Sequence, residues 1–262
     1  VGIIVTMEEG RKKIYFASDA HLGLDVIENP LDSERRLVRW LDSIKKDASS
    51  LFLLGDMFDY WFEYKYVVPK GFTRFLGKLG ELSDMGVKIY IFIGNHDIWM
   101  FDYLPKEIGA VVVREPMTIE LMGKKFFLAH GDGLGDPNKM FRFIRRFFRN
   151  KLCQRLYKGI NPWFTIPLGQ TWSRHSRSSK LGSEEESYLG EDREYLVKFA
   201  KEDAKTNNVD YYIFGHRHIM LDLAMADKKR VVILGDWITN FSYASFDGSE
   251  LRLSVFEENG NQ

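Results

Sequence analysis

Five short clusters of Asp, His, Asn and Gly each stand at the end of an apolar run of strand length. No other feature constrains the fold as much. The clusters are Asp19-Ala20-His21, Gly55-Asp56, Gly94-Asn95-His96-Asp97, His130-Gly131-Asp132 and Gly215-His216-Arg217-His218. The apolar runs before them cover 14–17, 51–54, 88–93, 125–129 and 211–214, and a sixth run covers 231–234. Runs this short and this continuously apolar read as buried strands. Further strands are predicted at 111–114, 117–121 and 251–256. Helical spacing lies between them. Leu37, Leu41, Ile44 and Ala48 make one apolar stripe, and Phe72, Phe75, Leu76, Leu79 and Leu82 make a second. Tyr195, Leu196, Phe199 and Ala200 begin a third. The order is β-α-β-α-β, then a β-rich middle, helices and strands. That order predicts a layered α/β fold with mixed β-sheets flanked by helices.

Residues just past the strand ends of an α/β sheet line the ligand crevice. The five clusters are therefore expected to converge. Carboxylate, imidazole and one carboxamide together suit Mn²⁺, Fe or Zn²⁺, whereas Mg²⁺ and Ca²⁺ prefer oxygen alone. Asp19 and His21 are two residues apart, so on an extended segment they point the same way and can chelate one ion. His216 and His218 share that spacing. A lone His, or a lone Gly-Asp, is usually structural. Five of the six histidines fall in these clusters, however, and scattered structural histidines would not do so. The sixth, His175, reads as an exposed residue. Asp132 and Asp136 read as turn or cap residues, and Trp61 and Trp99 as core.

Lys and Arg number 37, as do Asp and Glu, but residues 137–180 hold 11 of the basic residues and no acidic one. The rest of the chain carries 26 basic against 37 acidic residues. An ordinary surface mixes both signs, so this segment points to an anionic partner. Asp136 and Pro137 suit a helix start. At about 100° per residue, Met140, Phe143, Ile144, Phe147 and Phe148 share one helix face, and Arg142, Arg145, Arg146 and Arg149 the opposite one. The pattern restarts after Gly159-Ile160-Asn161-Pro162 and ends in a run containing Arg174, Arg177 and Lys180. We read 137–180 as a basic amphipathic helical cap on a domain made of 7–136 and 181–262. Its Arg face is expected to meet lipidic anion, as substrate or as membrane surface. Arg142, Arg146, Arg149, Arg174, Arg177 and Lys180 are the substrate-contact candidates. The alternative is that the apolar face packs on the domain and the arginines are merely solvated.

In composition and order, the five clusters resemble the calcineurin-like metallophosphoesterase superfamily, whose pattern runs D-x-H, G-D, G-N-H-[DE], a later His and G-H-x-H. The resemblance spans 19–218 and implies a two-metal phosphoesterase. It implies that Asp19, His21 and His218 hold one divalent transition ion and Asn95, His130 and His216 a second, with Asp56 shared. Mn²⁺ is the expected ion, with Fe or Zn²⁺ as alternatives. Such a pair stabilises charge on phosphoryl oxygens and makes a water acidic near neutral pH. The resemblance further implies that Asn95 and His96 touch the substrate, that His96 gives a proton to the leaving group, and that Asp97 orients His96. The stretch Gly55-Asp56-Met57-Phe58-Asp59-Tyr60-Trp61 is similar to a block of the UDP-2,3-diacylglucosamine pyrophosphatases of lipid A synthesis. So is His130-Gly131-Asp132-Gly133-Leu134 followed by Asp136. That family also carries a helical lid where this chain has 137–180. The closer resemblance implies a lipidic UDP-sugar substrate cut to UMP and lipid X. The best-known branch has Arg where this chain has His96. The acidic run Glu184-Glu185-Glu186 departs from the family's usual lid ending.

Two rivals use the same clusters. A phosphodiesterase or nuclease would turn the basic segment toward nucleic acid. Base stacking needs aromatic and basic groups together, and here they fall on opposite faces, so nucleic acid is not expected. A non-catalytic scaffold of this fold should have lost ligands, and none is lost. The single cysteine, Cys153, excludes an internal disulfide and fits a reducing compartment. No run reaches the roughly 18 apolar residues of a membrane span. Residues 1–6 lack the marks of a signal peptide, and Met7 is the expected native start. The expected location is the cytoplasm, with peripheral attachment to the inner face of the cytoplasmic membrane.

Overall fold

Strands that are apolar at consecutive positions need cover on both faces, and the architecture supplies it in four layers. The computed structural model describes residues 12–24, 29–135, 139–178 and 187–258, with the backbone alone at 139–142, 172 and 174–178. One mixed sheet has the order β11-β10-β1-β2-β3-β4. Its strands are β1 (Lys13–Ala17), β2 (Ala48–Leu53), β3 (Lys88–Phe92), β4 (Val111–Val113), β10 (Ser242–Phe246) and β11 (Leu251–Val255). The second has the order β5-β6-β7-β9-β8. These are β5 (Met117–Leu121), β6 (Lys124–Ala129), β7 (Tyr211–Phe214), β8 (Met220–Ala224) and β9 (Arg230–Leu234). Strands β1 to β4 run parallel, as do β6, β7 and β9, while β10 is antiparallel to both β1 and β11, β5 to β6, and β8 to β9.

The two-residue period of β1 shows how the layers are built. Ile14 and Phe16 face the second sheet, while Tyr15 and Ala17 face the helices. Between the sheets, Phe16 stacks on Phe52 at 5.3 Å and on Phe126 at 5.8 Å. Outside the first sheet lie α1 (Pro30–Ile44), α2 (Thr73–Asp84) and α3 (Tyr103–Ile108). Pro30 starts α1 with a preset backbone angle, and Leu37, Trp40, Leu41 and Ile44 form its buried stripe. Buried Glu34 accepts the N–H groups of Arg74 and Phe75, satisfying donors at the start of α2. Outside the second sheet lies α7 (Tyr195–Asp203), with Leu196, Val197 and Ala200 buried.

The fold is the layered α/β arrangement that the sequence predicts. Each predicted strand is present, but β8, β10 and α3 were not foreseen. The helical spacing places Ala48 in a stripe with Leu37, Leu41 and Ile44, but Ala48 opens β2, since α1 ends at Ile44.

Residues 139–178 form α4 (Lys139–Phe148), α5 (Lys151–Lys158) and α6 (Pro162–Ser178). The proposed helix start at Asp136 and Pro137, and the candidate Lys180, lie outside the described residues. The faces of α4 divide only partly as expected, because Phe148 packs on Trp99 and Arg146 is exposed, while other residues are reversed. Phe143 and Phe147 are 67% and 53% exposed, while Arg145 and Arg149 turn inward to buried Asp132. Arg149 also lies 3.7 Å from Glu115 and donates to the carbonyl of Arg114. The Asp132 carboxylate, on the main body, decides which face is inside. Asp132 is thus more than a turn residue, because it is the anchor for α4.

Phe126 is fully buried between the sheets, touching rings of both. Phe126→Ala should therefore lower unfolding free energy by about 4 kcal/mol, read from the denaturation midpoint, with little change in the slope.

Candidate metal centre

The loops after β1, β2 and β3 deliver Asp19, His21, Asp56, Asn95 and His96 from the first sheet. Those after β6 and β7 deliver His130, His216 and His218 from the second. The seam between the sheets brings together groups up to 199 positions apart in the chain, Asp19 and His218 being the farthest. Asp19, His21 and His218 offer ligand atoms within 4.8 Å of one another; so do Asp56, His130 and His216, and so do His21, Asp56 and His96. Asp56 Oδ2 stands between the first two sets, 3.7 Å from His21 Nε2 and 3.3 Å from His130 Nε2. Asn95 Oδ1 lies 3.2 Å from His130 Nε2. All seven predicted ligand residues are thus in one place.

The backbone reaches this arrangement by turns rather than by extended pairs. Asp19, His21, Asp56, His216 and His218 all have φ between 43° and 68°. That left-handed region is rare for residues with a Cβ and recurs at functional sites. Asp19 and His21 therefore converge because each sits at a left-handed turn, which corrects the extended geometry expected for them. Two glycines allow the close approach. A Cβ on Gly94 would lie 2.1 Å from Asp56 Oδ1, and one on Gly215 would lie 2.5 Å from Asp19 Oδ2.

Asp97 has a different task from the one expected. Its carboxylate accepts N–H groups from Asp56, Met57, Phe58 and Gly94, at 3.2, 2.8, 3.3 and 2.8 Å. It fixes the turn that carries Asp56 and does not orient His96. The groups at His96 are instead the Asp59 carbonyl, 3.1 Å from Nδ1, and Ser173 Oγ, 2.8 Å from Nδ1. Neither Asp59 nor Ser173 was singled out in the sequence, although Asp59 lies in the block that carries the closer resemblance. Asp236 was also missed. It holds His218 Nδ1 at 3.3 Å and accepts the N–H groups of Ile238, Thr239 and Asn240. The signal was present, since Gly235-Asp236 follows a strand as Gly55-Asp56 does.

The electrostatics call for positive charge. Burial pushes the Asp56 carboxyl up, but His130, His96 and His21 outweigh it and hold the group well below the carboxylate range. Burial pulls His130 down, yet Asp56, Asp19 and Asp132 raise it to about 10. Asp19 Oδ1 is buried with no hydrogen-bond donor. A donor set of buried carboxylate and imidazole, with a carboxylate oxygen left without a donor, fits divalent transition cations.

Of the remaining candidates, Arg146 is exposed, and Arg145, Arg146 and Arg149 line an open cleft of about 490 Å³ with Glu115 and Gly133. The side chains of Arg142, Arg174 and Arg177 are not described.

Residues 12–220 match the family described as Calcineurin-like phosphoesterase. The chain is 49% identical to UDP-2,3-diacylglucosamine hydrolase of Porphyromonas gingivalis, over 95% of this chain and 99% of that protein. It is 29% identical to the enzyme of that name from Pseudomonas fluorescens, over 86% and 88%. The Haemophilus influenzae protein of the same name is 27% identical, over 88% and 93%.

Burial pushes the Asp236 carboxyl up, but His218 and the loop N–H groups bring it down to about 2. A depressed carboxyl contributes stability that is complete above its unfolded value, near 4, and is lost as pH falls through about 2. Asp236→Asn should therefore lower stability by about 2 kcal/mol at pH 6. Denaturation curves should show that deficit shrinking steadily between pH 4 and pH 2.

Proposed function

Because the chain belongs to the calcineurin-like phosphoesterase family, we propose that it hydrolyses the pyrophosphate of UDP-2,3-diacylglucosamine to UMP and lipid X, a step of lipid A synthesis. The observation that carries this reading is the pair of ligand sets meeting at Asp56, in a chain aligned almost end to end with a relative of that activity. Asp19, His21, Asp56 and His218 would hold one divalent ion, and Asp56, Asn95, His130 and His216 the other. We take Mn²⁺ as the resident ion, with Fe and Zn²⁺ as the alternatives to be told apart by elemental analysis. Ions held there would supply Lewis-acid stabilisation of the phosphoryl oxygens and a more acidic water.

The protein groups do the rest. Asn95 and His96 face the reacting phosphate. The Asp59 carbonyl can only accept, so His96 Nδ1 carries a hydrogen, and we assign proton exchange with the substrate to Nε2. His96 as a cation gives that proton to the leaving oxygen. Asp97 keeps the Asp56 turn in place throughout, and Asp236 keeps His218 in one orientation.

We assign 137–180 as a cap over this centre, and its exposed face to lipid. Phe143, Phe147, Leu152, Leu156, Trp163 and Phe164 are all exposed. Lys151 and Arg155 are exposed beside them, and no acidic residue occurs in the segment. Aromatic and aliphatic side chains rimmed by basic ones suit an anionic lipid interface. No helix among the described residues is long and apolar enough to cross a membrane. We assign the attachment as peripheral, on the cytoplasmic face where the UDP-sugar is available, on the strength of this exposed apolar and basic surface. Arg146, Arg174, Arg177 and Lys180 remain substrate-contact candidates. Arg149 is also held by Asp132, so its loss would loosen α4 as well.

Metal-replete protein should contain two transition ions per chain and convert UDP-2,3-diacylglucosamine to UMP and lipid X. In oxygen-18 water the label should enter UMP, and Asp56→Ala should lose both turnover and metal. Brisk hydrolysis of other diesters with none of this substrate would refute the assignment. For the membrane, Trp163→Ala with Phe164→Ala removes roughly 3 kcal/mol of apolar burial, on the order of a hundredfold in partitioning. Sedimentation with anionic vesicles should show that loss. Unchanged binding would leave this face without a role.

A further inference from the structure

Helix α6 docks on the main body along one stripe, and that stripe ends at His96. Thr165, Gly169 and Ser173 are four residues apart, so they share a helix face. Thr165 and Ser173 are 2% and 4% exposed, whereas Trp163, Phe164 and Leu168 on the other side face solvent. At the first position the Thr165 hydroxyl bonds the Tyr64 hydroxyl, and the Tyr157 hydroxyl donates to the Thr165 carbonyl. At the second, Gly169 lies against the Tyr60 ring so closely that a Cβ there would stand 2.1 Å from Cε2. At the third, Ser173 Oγ donates to Asp59 Oδ2 at 2.8 Å and lies 2.8 Å from His96 Nδ1. With its hydrogen directed to the carboxylate, Ser173 Oγ meets the Nδ1–H of His96 with a lone pair. The chain Asp59–Ser173–His96 thus ends on the imidazole that is to give up a proton at Nε2. Two of its members belong to the body and the middle one to the cap.

We propose that Ser173 is a positioning residue through which docking of α6 sets the orientation of His96, so that proton delivery to the leaving group depends on the cap being seated. The inference rests on the hydrolase reading above. The Asp59 carbonyl accepts from Nδ1 at 3.1 Å, whereas its carboxylate stands 3.9 Å away and is linked by hydrogen bonds through the serine. Withdrawing α6 therefore removes the serine from both partners at once. His96 then loses the serine acceptor and, with it, this hydrogen-bonded link to the carboxylate. A lipidic substrate that seats the cap would complete the proton donor as it binds, while a small substrate would rely on the cap's own docking equilibrium.

The test uses Mn²⁺-loaded full-length protein and small aryl phosphodiesters of graded leaving-group basicity, so it does not depend on the lipid assignment. Ser173→Ala should lower kcat about tenfold on the poorest leaving group and less than twofold on the best, with KM and metal content unchanged. Ser173→Thr, which keeps the hydroxyl, should retain the wild-type leaving-group dependence. Gly169→Val should unseat α6 and reproduce the Ser173→Ala pattern, and adding Ser173→Ala to it should cost nothing further. In metal-free protein with ¹⁵N-labelled histidine, the His96 Nδ1–H should exchange with water faster in both variants than in wild type. An equal loss across all leaving groups, additive effects of the two substitutions, or an unchanged Nδ1–H would overturn the proposal. If the wild-type protein cleaved no diester at all, the hydrolase reading would fall, while the exchange measurement would still decide the hydrogen bond.

Discussion

A carboxylate taken out of water costs several kcal/mol unless donors and positive charge meet it. Asp56 is fully buried at the seam of the two sheets, and much of the molecule is arranged around that fact. Its Oδ1 accepts the N–H of His96. Its Oδ2 stands between histidines from the first sheet and from the second. Its backbone is held by Asp97, a second fully buried carboxyl that four N–H groups surround. Each sheet alone would expose an incomplete ligand set, so the packing of Phe16 against Phe126 is also what brings the two halves of the centre together. The same buried negative charge raises the His130 imidazole above its ordinary range, and buried charge of this kind suits divalent cations.

Local signals carried the sheet and the ligand set into the sequence. Each site strand is a short apolar run that stops at a polar cluster, so strand positions and chemistry were marked by the same residues. What escaped were elements with no such contrast. Strand β8 alternates exposed and half-buried positions at a sheet edge, and β10 has serine at two of its five positions, which breaks the apolar run. The left-handed turns at Asp19 and His21 were invisible because neither residue is glycine. A spacing of two gives convergence on a strand, and here a pair of turns produced the same convergence by another route.

Long-range partners account for the errors of role. A helical wheel shows that α4 has two faces, but nothing within its ten residues says which is inward. Asp132, thirteen positions before Arg145, makes that choice, because two guanidinium groups compensate one buried carboxylate better than two phenyl rings could. Likewise Asp97 is adjacent in sequence to His96 and yet points at a different loop, whereas Ser173 is 77 residues away and touches the ring. Sequence neighbourhood predicts which residues reach the centre far better than it predicts which of them touch each other.

The same partial inversion gives the cap an unusual energy balance. A helix of the main body, such as α1, is held by its apolar stripe, so leaving would expose that stripe to water. Helices α4 to α6 meet the body through ion pairs, hydroxyls, one glycine and a few rings, and present phenylalanine, tryptophan and leucine to the outside. Each polar contact in the seam is worth about 1 kcal/mol net, and Phe148 and Tyr157 add apolar contacts to Trp99 and Phe62, with Ile166 packed on the same cluster. Whatever covers the outer face changes this total by the apolar area it removes from water. On the lipid reading, the interface that holds the cap to a membrane and the seam that holds Ser173 against His96 lie on opposite faces of one rigid helix. An acyl chain or bilayer surface that fixes the outer face therefore biases the inner one, and no further moving part is needed to connect them.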